Sequence, residues 1–146
     1  MRKTFWALPL AVLLVSCGPK EAAQTGDETR SAAGEVRPGT TVDDKVSSSN
    51  DPVDWKRFDV ERKTDALITI YWDNPKIQAE VNLRDMFGNP VASATHASGA
   101  TKDQISTNLK DGTWFLEIKA KSGASVYTLE VILGGETTSN GVPRPE

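Results

Sequence analysis

The chain has 146 residues, 38% hydrophobic and 25% charged, which suits one globular domain with appendages and not a wholly disordered polymer. Its formal net charge of −3, with no long Lys/Arg cluster, excludes a surface built to hold a nucleic-acid backbone. A lone cysteine, Cys17, excludes an intramolecular disulfide.

Residues 1–16, MRKTFWALPLAVLLVS, begin with Arg2 and Lys3 and continue in an apolar run from Phe5 to Val15, broken only by Pro9. The run is too short to span a bilayer, which takes roughly 20 residues. It fits the h-region of a cleaved signal peptide. The sequence Leu14-Val15-Ser16-Cys17 resembles the lipobox of bacterial lipoproteins. That resemblance implies a diacylglycerol on the Cys17 thiol, cleavage after Ser16 and an acyl chain such as palmitate on the new amine. One acyl chain binds a bilayer only marginally, whereas two or three hold it firmly. Gly18 stands where an Asp would mark inner-membrane retention, so the resemblance implies the outer membrane over the inner. The expected location is the bacterial cell envelope, with the chain lipid-anchored and exposed to the periplasm or the exterior. Cleavage removes two cations and no acid, so the mature chain gains no electrostatic help at an anionic leaflet.

Residues 17–50 are expected to form the lipidated terminus and a flexible linker. From Gly18 to Asn50 there is no aromatic residue, no Leu and no Ile, and small and charged residues dominate. Such a stretch has little apolar surface with which to offset ordering entropy. The tail from Gly134 to Glu146 reads the same way.

Between them, residues 51–133 switch to a period of two. Strands are expected at 54–60 (Phe58 and Val60 inward), 66–72, 76–85 (Ile77, Ala79, Val81 and Leu83 on one face) and briefly at 90–94. Further strands are expected at 104–109, 113–120 (Trp114, Leu116, Ile118 and Ala120) and 125–133 (Tyr127, Leu129, Val131 and Leu133). Turn signals separate them at Asp73-Asn74-Pro75, Phe87-Gly88-Asn89-Pro90, Asp111-Gly112 and Ser122-Gly123, and Asp111-Gly112 reads as a tight hairpin. About seven short strands of this kind predict an all-β fold, a small antiparallel β-sandwich.

The order of these runs resembles the bacterial pre-peptidase C-terminal domain. Asp54, Trp55 and Phe58 match its first element, and Asp85 and Gly88 its second. Leu109, Gly112, Thr113 and Trp114 match its third, with Trp in place of Tyr, and Tyr127, Leu129 and Val131 its fourth. The resemblance implies a compact β-sandwich of the kind appended to secreted proteases and other envelope proteins. Related collagenase modules bind their substrate and calcium.

The residues offer little for catalysis. His96 is the only histidine and lies in a small polar stretch, SATHASGATKD, which reads as a solvated loop. Neither Ser93 nor Ser98 has a nucleophile-elbow context. One His and one lipidated Cys cannot fill a zinc ligand set. Calcium needs only oxygen ligands. Of the aspartates near strand ends, Asp51 and Asp54 are the candidate pair, against an ordinary turn-capping role. Trp55, Trp72 and Trp114 are many tryptophans for a small domain. Trp114 reads as core. Trp72, with Tyr71 beside it, reads either as a ligand-stacking aromatic or as a plug at the edge of the core.

The expectation is therefore a non-enzymatic envelope protein, anchored through Cys17, whose sandwich binds protein or carbohydrate and needs no cofactor beyond a possible calcium. Two alternatives stand beside it: a carbohydrate-binding module using exposed aromatics, and an accessory domain of an envelope hydrolase.

Overall fold

In the computed structural model, residues 26–134 are described. The signal peptide, Cys17, the first part of the linker and the tail after Gly134 lie outside them. Nine strands follow a short 3-10 turn at Arg30–Ala32: β1 (Gly34–Glu35), β2 (Thr41–Ser47), β3 (Val53–Val60), β4 (Thr64–Trp72), β5 (Gln78–Arg84), β6 (Pro90–Thr95), β7 (Lys102–Leu109), β8 (Gly112–Ser122) and β9 (Ala124–Leu133). They form two sheets, in the orders β1-β3-β8-β5-β6 and β2-β9-β4-β7. All pairings are antiparallel except the two-residue β1–β3 pairing. The all-β sandwich expected from the sequence is what the chain forms.

The inner faces are the alternating positions that the sequence marks. Phe58, Ile68, Ile70, Leu83, Leu116, Ile118, Tyr127 and Leu129 are among the fully buried side chains. Burying each such side chain is worth roughly 1.5–3 kcal/mol, enough to fix which face turns inward. A slip of one residue would turn a whole strand inside out.

Two expectations are corrected. Residues 26–50 are not linker: they include β1 and β2, and β2 pairs along its whole length with β9. Few apolar residues are needed there because β2 is an edge strand and only Val36, Val42 and Val46 reach the core. Asp111-Gly112 does not close a hairpin either. β7 belongs to the four-stranded sheet and β8 to the five-stranded one, so this turn crosses between layers. The signal fixes a turn with a positive φ, here +127° at Gly112, but not the partner of the strand that follows.

The Phe87-Gly88 turn does join two neighbouring strands, β5 and β6. Register places this turn at the same end of the sandwich as the β3–β4 and β7–β8 turns, since Arg84 pairs with Phe115 and Val60 with Gly112.

Candidate functional site

Alternation in β3 points Asp54 and Lys56 inward beside Phe58 and Val60. A buried charge demands partners. Lys56 Nζ donates to Asp27 Oδ2 and Asp44 Oδ2, so its ammonium ties the chain before β1 and the edge strand β2 to β3. Carboxylate oxygens of Asp27, Asp44 and Asp54 lie within 4.8 Å of one another. Burial alone would push the Lys56 ammonium towards neutrality, but the two carboxylates more than reverse this and its pKa rises.

Asp54 is fully buried. Its Oδ2 accepts from the Tyr127 hydroxyl at 2.7 Å, and its Oδ1 has no hydrogen-bond partner. Burial, opposed by the Tyr127 bond and reinforced by the charge of Asp27, pushes its pKa up to about 7. The Tyr127 hydroxyl, buried against this carboxylate, is pushed well up as well. Asp51 is also buried, and neither of its carboxylate oxygens has a partner. Burial and then the charge of Asp27 push it up.

The pair singled out for calcium is therefore split. Asp54 joins the converging oxygens with Asp27 and Asp44, and Asp51 lies close by, lining a shallow groove with Lys45, Asn50, Ser125 and Val126. Two oxygens on Asp51 and one on Asp54 are buried without hydrogen-bond partners; they are donors of the hard type that calcium takes, but Asp51 is not one of the converging carboxylates. Asp27 and Asp44 already hold an internal cation.

At the other edge, Trp72 is only 4% exposed, so it is not a stacking platform. Its Nε1 donates to Asp103 Oδ2 at 2.7 Å and its ring meets Tyr127 edge-on, with centroids 5.8 Å apart. Of the two aromatics named as ligand contacts, Tyr71 alone is open, at 42% exposure. His96 is not solvated. It is buried against Trp72, with Nδ1 at 2.8 Å from Asp103 Oδ2 and Nε2 at 3.2 Å from the Pro75 carbonyl. Both ring nitrogens face oxygen acceptors, which makes this a structural clamp on the loop after β6.

Two further aromatics lie on the outer face of the five-stranded sheet. Trp55 and Phe115 are half-buried there. The Arg84 guanidinium lies 5.8 Å from the Trp55 ring centroid and that of Arg30 lies 5.7 Å from Phe115. Arg84 also donates to Glu117 Oε2, through Nη2 at 2.6 Å and Nε at 2.9 Å, and Lys119 pairs with Glu117 Oε1 at 2.8 Å. Burial raises the Glu117 carboxyl, but bonds from Lys119 and then Arg84 outweigh it and its pKa is lowered. Trp114, on the inner face, packs against the core and donates to the Lys110 carbonyl at 2.9 Å.

No protein-family model and no curated protein matches the chain. Among solved structures it is similar to the pre-peptidase C-terminal domain of a collagenase from Bacillus anthracis, at 21% identity and a TM-score of 0.58 over 68% of this chain and 93% of that one. Looser superpositions join it to a surface-associated copper-binding protein of Methylomicrobium album (8% identity, TM-score 0.48, 68% of this chain and 97% of that one). Another joins it to a carbohydrate-binding module of a Cellvibrio mixtus lichenase (16% identity, TM-score 0.42, 63% and 86%). The collagenase domain shares the β-sandwich fold expected from the motifs.

Proposed function

We propose that the chain is a lipid-anchored protein of the bacterial cell envelope, held by acyl chains on Cys17 in the outer membrane, and that its sandwich is a non-catalytic module binding an envelope protein or carbohydrate. The observation that carries the binding role is the outer face of the five-stranded sheet, where two half-buried aromatic rings each carry a guanidinium. Flat rings flanked by fixed donors suit sugar rings and peptide side chains alike. Glu117, neutralised from two sides, positions Arg84 and is no general acid. Burial of Trp72 speaks against a sugar platform at that strand end.

The test uses the acylated full chain with Trp55→Ala and Phe115→Ala. Cosedimentation with isolated envelope polysaccharide, and crosslinking in intact envelopes, should each fall by about tenfold or more, the loss of roughly 1.4 kcal/mol. Unchanged retention in both assays would rule this face out. The anchor is tested separately: Cys17→Ser should stop both acylation and signal cleavage at this site, and a variant processed and fractionating like the wild type would overturn the anchor.

A calcium ion at Asp51 and Asp54 is a second part of the reading, supported by their buried, unpartnered oxygens. The ion would neutralise carboxylates that Lys56 leaves uncompensated. Added calcium should raise the melting temperature of the wild type and leave Asp51→Asn unmoved. Identical melting in calcium and in chelator would remove calcium from the reading.

A further inference from the structure

The turn between β5 and β6 gathers three of the five exposed large apolar side chains among the described residues, the other two being Tyr71 and Val126. Met86 is 58% exposed and Phe87 75%, and Val91 just beyond is also exposed. Two adjacent large apolar side chains held in water at a loop tip cost solvation free energy that a partner would recover.

The tip is rigidly built. Asp85 Oδ1 accepts from the backbone of Phe87 at 2.9 Å and of Asn89 at 2.8 Å, and Oδ2 accepts from Asn89 Nδ2 at 2.9 Å. The Asp85 carboxylate is thereby spent inside the turn, and the Asn89 bond leads in holding its pKa low. Gly88, at φ +91°, lets the chain reverse, and the Arg30 guanidinium lies where any Cβ at Gly88 would sit. Arg84 Nη1 donates to the Gly88 carbonyl at 3.0 Å. An apolar pair is therefore backed by two guanidiniums.

Arg30 is only thirteen residues beyond Cys17 in the sequence. The nine residues from Cys17 to Gly26 can span at most ~30 Å. An acylated Cys17 would thus keep the tip within reach of the leaflet that holds it.

We propose that the β5–β6 tip is a membrane-docking wedge. Met86 and Phe87 enter the interfacial region of the bilayer while the exposed Arg30 meets lipid phosphates and Arg84, paired with Glu117, braces the turn from behind, so that acyl chains and tip together fix the orientation of the sandwich. Apolar side chains beside basic ones are the chemistry of interfacial anchoring. The inference rests on the lipid-anchored reading above.

The test uses the acylated full chain, in which the Cys17 sulfur is a thioether and an introduced cysteine is the only thiol. An environment-sensitive fluorophore is placed at Met86→Cys or, at the far end, at Ser98→Cys. Each protein is reconstituted on phosphatidylethanolamine–phosphatidylglycerol vesicles carrying nitroxide lipids. Docking predicts several-fold stronger quenching at position 86 than at 98, lost when Phe87→Ser is added. A chain that floats with the vesicles but shows equal or no quenching at the two positions overturns the wedge and leaves the anchor standing. A chain that does not float overturns both. A blue-shifted probe at position 86 without vesicles would seat a second copy on the tip and overturn the lipid assignment.

Discussion

Asp54 and Glu117 lie on adjacent strands of one sheet, one step apart in the ladder, since Asp54 pairs with Ile118 and Trp55 with Glu117. Both are buried. Asp54 faces inward and its carboxyl is pushed up to about 7, whereas Glu117 faces outward and is held low. Burial is the largest influence on both and pushes both the same way. The cations make the difference. Glu117 receives Lys119 and Arg84, while the nearest ammonium to Asp54, that of Lys56, is given to Asp27 and Asp44. The charge state of a buried carboxylate thus depends on which neighbour claims the cation as well as on depth.

Removing the inner cation should break the comparison most severely. Lys56→Met removes the ammonium that Asp27 and Asp44 share beside Asp54. Breaking a buried pair by deleting one partner costs on the order of 3–5 kcal/mol. Urea denaturation should show that loss, and a variant within 1 kcal/mol of wild type, by the same measure, would mean that the cluster is solvated. Partial rescue by calcium would mark metal and ammonium as occupants of one charge deficit.

The two carboxylates should also give stability opposite dependences on pH. Asp54 holds a proton in the fold that it has lost in the unfolded chain, between the ordinary value of 3.8 and about 7. Its contribution is therefore favourable below that window and declines as pH rises through it, by a few kcal/mol. Glu117 is lowered from 4.5, so its contribution is full above that value and is lost as pH falls below it. Denaturation across pH, in chelator, should show a maximum on the acid side of neutrality. Asp54→Asn should flatten the neutral limb and Glu117→Gln the acid limb; a neutral limb that survives Asp54→Asn belongs to another group.

Period-two alternation made the seven strands from β3 onward legible in the sequence. It also carried a signal for the buried cluster, because Asp54 and Lys56 share parity with Phe58 and Val60. Asp44 likewise shares parity with Val42 and Val46 in β2. What hid β2 was composition: an edge strand needs few apolar residues, and a run of small and charged ones resembles a linker. Trp72 was legible only as a strand end. The groups that enclose it, Asp103 and Tyr127, come from strands far along the chain. His96 is clamped by Asp103, seven residues on but across the gap between sheets, so local polarity gave no sign of burial. The outer face of Trp55, Arg84 and Glu117 draws on three strands, and only the pairing order brings them together.

A smaller effect is expected at the hydroxyl that links the two edges. Tyr127→Phe removes the bond that favours the charged form of Asp54. The cost should be about 1–2 kcal/mol at pH 8, where that charge must be borne, and clearly less at pH 5, where the carboxyl is protonated. Equal costs at both values would show that the bond serves packing and not the charge of Asp54.

The smallest effect belongs to Arg84, and its smallness is what the comparison requires. Arg84→Met strips two donors from Glu117 and the cation from Trp55. Yet Glu117 keeps Lys119, and Arg84 itself is partly open to water. An open, duplicated ion pair contributes about 1 kcal/mol, and the stacked guanidinium adds a similar amount at most. A double-mutant cycle between Arg84→Met and Glu117→Gln should give a coupling near 1 kcal/mol that shrinks with added salt. The same cycle between Lys56→Met and Asp44→Asn should give a larger coupling that salt moves less, because the ammonium of that pair is closed to solvent. If the two couplings came out equal, cation placement would not distinguish the faces, and the difference between Asp54 and Glu117 would have to be assigned to depth after all.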